Sequence, residues 1–184
     1  MLPPIPSWDG LHPLIVHFPI ALLLVAPVFV ILGLVFRKHW NGFAVTALVL
    51  MVLGTIGAFV AVATGEAGAG LVERTEAISE VLEQHEDLAE TTRTVFAVLT
   101  IIFAAILIVP VALRSTLKPG VNFGLNAAFL VLYAFGALLL ANAAHEGGRL
   151  VHEYGVQALT ATGPSGMSVL FGEDEHEEEE HEDD

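Results

Sequence analysis

LHPLIVHFPIALLLVAPVFVILGLVF, running from Leu11 to Phe36, carries no acidic or basic residue apart from two histidines. A helix that crosses the hydrocarbon core of a bilayer needs about 20 mostly apolar residues, and this run exceeds that. Three further stretches do the same: Gly42 to Thr64, Thr94 to Leu113 and Val121 to Ala144. The composition agrees. The chain has 184 residues, of which 54% are hydrophobic and 15% charged, and its mean hydropathy of +0.69 does not suit a water-soluble domain. The expected fold is all-α, an integral membrane four-helix bundle.

Four spans put both termini on one side. The loops joining the first to the second span (Arg37, Lys38, His39, Trp40, Asn41) and the third to the fourth (Arg114 to Pro119) are short, basic and free of acids. Short cytoplasmic loops carry the excess of Lys and Arg, so these two are expected inside the cell, with the termini and the middle loop outside. The N-terminal segment lacks a basic region, and the apolar run behind it is too long for a cleaved signal, so it is expected to be retained. Trp8 and Trp40 bracket the first span as interfacial anchors.

Small residues four apart, Gly54, Gly57, Ala58, Ala61 and Gly65 on the second span and Gly120, Gly124 and Ala128 on the fourth, predict close helix packing. Pro19 and Pro27 in the first span and Pro110 in the third each remove a backbone hydrogen bond, and a bend is expected just after His17. Residues 66–93 read as an extramembrane amphipathic helix able to run on into the third span. Its acids (Glu73, Glu76, Glu80, Glu83, Asp87, Glu90) form one stripe, and Leu71, Ile78, Leu82, Leu88 and Ala89 mark the other, where His85 falls. The domain boundary is placed at 156. Residues 157–184 end in GEDEHEEEEHEDD, ten acids with His176 and His181, too charged to order itself. Such a tail solubilises, attracts a cationic partner or collects metal ions loosely.

Cysteine is absent, which excludes disulfides, thiolate metal sites and covalent haem attachment in this chain. Histidine is the informative residue. His12, His17, His85, His145 and His152 come from separate segments yet all fall near the outward face. His17 lies roughly 9 Å along the first helix from Leu11 and His145 closes the fourth span, so an inner pair, His17 with His145, is expected to face across the bundle. His12, His85 and His152 form an outer group. Asn142, His145, Arg149 and His152 recur at three and four on the fourth helix. Gly147 and Gly148 weaken the helix there, and Arg149 is also placed to pair with Glu146 or Glu153.

Ionisable groups at membrane depth count as functional candidates, and two chemistries fit. Neutral imidazoles from different helices hold the axial positions of a b-type haem, with His17 and His145 as the axial pair and His85 and His12 nearby. Alternatively, His12, His17, His85, His145 and His152 with Glu66 and Glu146 ligate iron, copper or zinc. A third reading needs no cofactor: polar residues tie the bundle mouth together by hydrogen bonds. No repeated Glu-x-x-His pair, paired Ser and His, P-loop or dinucleotide fingerprint occurs, and no charged residue lies midway along a span to carry protons.

The run Leu11-His12-Pro13-Leu14-Ile15-Val16-His17-Phe18-Pro19-Ile20-Ala21 resembles the signature opening a family of uncharacterised bacterial four-span inner-membrane proteins, a domain of unknown function. The resemblance extends to about Val156 through Thr64-Gly65, the step from His85 to Leu88, and His145-Glu146-Gly147-Gly148-Arg149-Leu150-Val151. Family versions continue with tyrosine where this chain has His152. The resemblance implies an inner-membrane location and, because related domains occur beside cytochrome modules, redox surroundings; it supplies no reaction. The expected function is an inner-membrane redox or metal-binding subunit exchanging electrons with a periplasmic cytochrome or other cationic protein. The alternative is a cofactor-free accessory subunit docking such a partner. An electron-transfer or accessory role is expected over a stand-alone enzyme, with membrane lipid as a partner and no nucleic acid.

Overall fold

A computed structural model describes residues 7–72, 74–115 and 117–156. The expected tail and Glu73 lie outside them. The described chain is all-helical: α1 (His12–Ile15), α2 (His17–Val35), α3 (Trp40–Ala69), α4 (Glu76–Ala112) and α5 (Pro119–His152), with short 3-10 turns at Trp8–Gly10 and Arg37–His39. Four helical stretches, with α1 and α2 as one, are long and apolar enough to cross a membrane. Outside the charged first half of α4 they are apolar on nearly every side, as lipid-facing helices must be; Ile101, Phe135 and Leu138 each lie more than half exposed. α2 packs on α3 and α5, and α4 packs on α3 and α5, so the four form a ring.

Heptad spacing marks the inward faces. Pro19, Leu23, Ala26, Val30 and Gly33 are buried on α2, Asn126, Phe129, Tyr133, Gly136, Leu140 and Ala143 on α5. Close approach depends on the second-span glycines: a Cβ at Gly54 would lie 2.8 Å from the Leu23 side chain, and one at Gly57 would lie 3.2 Å from Pro19. The fourth-span pair behaves differently. Gly120 and Gly124 are exposed with nothing within 4 Å of an added Cβ, because they lie off the inward stripe of α5.

Buried polar groups cross between helices. Pro27 has no N–H to give the Leu23 carbonyl four residues earlier, and the Tyr133 hydroxyl on α5 donates to that carbonyl at 2.7 Å instead. Thr55 of α3 and Thr100 of α4 share a hydrogen bond of 2.9 Å.

Three sequence expectations are amended. The segment 66–93 is not one helix: α3 continues to Ala69, the chain turns, and α4 starts at Glu76, capped by the Thr75 hydroxyl accepting from the Ile78 N–H, then runs unbroken into the third span. The interruption near the N-terminus falls at Val16, one residue before His17 rather than after it. Gly147 and Gly148 do not break α5, which continues to His152.

Candidate functional site

His12 opens α1 and His85 lies within the first three turns of α4. Each ring reaches across to a neighbouring helix. His12 Nδ1 is 2.8 Å from the Ala61 carbonyl of α3, and His85 Nδ1 is 2.8 Å from the Ala143 carbonyl of α5. A carbonyl oxygen only accepts, so both Nδ1 atoms carry the proton, and a neutral ring then keeps its lone pair on Nε2. This is the arrangement by which a ligating histidine is oriented, its second nitrogen held by the backbone. The two rings meet at the bundle mouth with centroids 6.4 Å apart and planes crossing at 82°.

The space for each ring comes from a glycine one turn beyond the accepting carbonyl. A Cβ at Gly65 would lie 3.1 Å from the His12 ring, and one at Gly147 would lie 3.0 Å from His85. The same local design therefore occurs twice: histidine, alanine carbonyl, glycine four later.

The duplication extends through the bundle. His12, Pro19, Leu23, Ala26 and Val30 stand 73 residues before His85, Thr92, Phe96, Leu99 and Phe103. Ala44, Ala47, Met51, Gly54, Ala61 and Gly65 stand 82 residues before Asn126, Phe129, Tyr133, Gly136, Ala143 and Gly147. Nearly all are buried, so α1–α2 with α3 and α4 with α5 are two versions of one inward-facing pattern. Each half delivers one imidazole to the seam between them. On the same stripe as His85, two turns further in, Thr92 is buried and its hydroxyl has no hydrogen-bond partner among the described residues.

The expected inner pair is replaced. His17 is exposed, its Nδ1 donating to the Pro13 carbonyl of its own chain turn at 2.9 Å. His145 and His152 are exposed as well. The reason is angular: at about 100° per residue, His17 stands roughly 140° round the helix from His12, and His145 roughly 160° from the inward Ala143. Only His12 and His85 occupy inward stripe positions. The seven-residue metal set is likewise not assembled. Among the described residues no three His, Asp or Glu side chains converge on a possible ion; Glu66 is exposed, and Glu146 is bound at 2.8 Å to Arg149, which also holds Glu153 at 3.1 Å. Arg149 of the polar stripe on α5 is thus paired with both carboxylates.

A family model described as "Predicted membrane protein (DUF2231)" matches residues 9–160. No curated protein and no solved structure matches the chain.

Proposed function

Since the chain belongs to the DUF2231 family of predicted membrane proteins, we propose a membrane-bound role for its paired imidazoles: a redox or metal-binding subunit in which His12 and His85 together hold a b-type haem or a transition-metal ion. The observation that carries this reading is the pair itself, two backbone-oriented rings, one from each half, 6.4 Å apart.

Ligand number favours one form of site. Structural zinc takes four protein ligands and catalytic zinc three, more than converge here. A b-type haem would ask this chain for no more than the two imidazoles of His12 and His85. A cuprous ion between two nitrogens is the smaller alternative with the same donor count.

Held by His12 and His85, a haem or a redox-active metal ion would supply one-electron exchange with a partner. The chain orients both Nε2 lone pairs through Ala61 and Ala143. The exposed acids Glu80, Glu83, Asp87 and Glu90 on α4 favour a cationic soluble partner. The basic loops at the opposite end orient the site outward by the positive-inside rule, towards the periplasm of a bacterial inner membrane.

The test is an oxidised and reduced absorbance spectrum with elemental analysis of the detergent-purified chain. A Soret band or one equivalent of metal, lost in His12→Ala and His85→Ala and kept in His17→Ala and His145→Ala, is expected. Neither signal in the unaltered protein would overturn the proposal and leave the cofactor-free accessory subunit.

A further inference from the structure

At the end of the bundle opposite the histidines, the four long helices line a half-open cavity of about 700 Å³, within the range of small-ligand sites. Its wall is mostly aliphatic and aromatic, with polar groups contributed by Arg37, Trp40, Asn41 and Asn122. We propose that it seats one anionic phospholipid, the phosphate on Arg37 and an acyl chain along the apolar wall.

Charge supports this occupant. Arg37, Lys38, Arg114 and Lys118 gather at this end, and none of them makes an ion pair with a described carboxylate, the described salt bridges being confined to Arg93 and Arg149. An arginine at a membrane interface with no counter-charge among the described residues is suited to phosphate, which it binds through two parallel hydrogen bonds. Basic pockets between transmembrane helices are recognised seats for anionic head groups.

The remaining polar groups supply donors for ester and phosphate oxygens. Asn126 donates to Asn122 Oδ1 at 3.2 Å, leaving the Asn122 amide nitrogen free to donate. The Trp40 indole nitrogen is a donor only. The ring of Trp40 is seated close to Gly33, where a Cβ would lie 2.7 Å from it. Among the described residues no carboxylate lines the cavity, so a cationic ligand finds no partner there. The occupant is thus acidic at one end and apolar along its length.

The experiment uses the full chain, delipidated and then exchanged into micelles containing phosphatidylglycerol or phosphatidylcholine of matched acyl chains, with adducts counted by native mass spectrometry. Retention of phosphatidylglycerol over phosphatidylcholine is expected. Losing the charge-assisted contact, Arg37→Gln should weaken retention roughly tenfold or more, while Arg74→Gln, which removes the same charge at the opposite end of the bundle, should change it less than twofold. Val45→Trp fills the cavity without altering charge and should also reduce it. Equal retention of both lipids, no loss in Arg37→Gln, equal losses in Arg37→Gln and Arg74→Gln, displacement by inorganic phosphate alone, or a dimer peak in place of the adduct would each overturn the proposal.

Discussion

Replacing Tyr133 with Phe removes one oxygen and leaves the shape of the ring unchanged, and its effect should depend on a proline in another helix. Pro27 deprives the Leu23 carbonyl of its helical donor, and the Tyr133 hydroxyl replaces it at 2.7 Å in a site where Tyr133 is 1% exposed. Without the hydroxyl, that carbonyl has no donor. Leaving a buried acceptor unpaired costs about 1–3 kcal/mol in a soluble core. Side-chain hydrogen bonds between membrane helices average about 0.6 kcal/mol, with a maximum near 1.7, because the unfolded chain in lipid finds partners too. A value of about 1–1.5 kcal/mol is expected, nearer the upper bound because the acceptor is wholly enclosed. In a Pro27→Ala background the residue 27 N–H returns to the Leu23 carbonyl, and the same Tyr133→Phe change should then cost only about 0.3 kcal/mol. Reversible unfolding in mixed micelles, titrated with a denaturing detergent, gives all four corners of the cycle. An equal cost in both backgrounds would refute the claim that the hydroxyl substitutes for the missing proline N–H.

Gly54→Ala should destabilise by about 1–3 kcal/mol, since its Cβ meets the fully buried Leu23 at 2.8 Å. Gly120→Ala should be neutral or gain up to about 1 kcal/mol, and the same titration compares them; similar losses would argue against the close α2–α3 approach. His85→Asn keeps an N–H able to reach the Ala143 carbonyl but removes Nε2, so it should recover most of the roughly 1 kcal/mol lost in His85→Ala while retaining no cofactor. Recovery of absorbance in His85→Asn would show that His85 is not a ligand. Gly147→Ala places a carbon 3.0 Å from His85 and should lower cofactor retention severalfold, as should Gly65→Ala at His12. Unchanged spectra in both would mean that the rings do not need these glycines.

The four helices were legible because each span is a long uncharged run. Membership in a family of membrane proteins of unknown function followed from the N-terminal run, and the family match agrees. Which histidines pair was harder to read, although the sequence held a signal. His12 lies seven residues before the buried Pro19, and His85 seven before the buried Thr92; both continue inward heptads that His17 and His145 do not. Depth along the helix alone favoured His17, yet rotation about the helix axis decides which side chain enters the bundle. The offsets of 73 and 82 residues were also present, but they join His with His, Pro with Thr and Leu with Phe, too dissimilar to register as a repeat until burial selects the positions.

By itself the sequence determined that this chain lives in lipid, how many times it can cross, and which end of the bundle is basic, because transfer of apolar and charged groups between water and hydrocarbon depends on composition along the chain. Tertiary structure alone decided that His12 meets His85, that Tyr133 caps the carbonyl left open by Pro27, and that Gly120 and Gly124 face away from the bundle. Those outcomes depend on helix rotation and on the order of neighbours around the ring. Both are set by side chains packing across distances of 49 to 110 residues, which no local pattern contains.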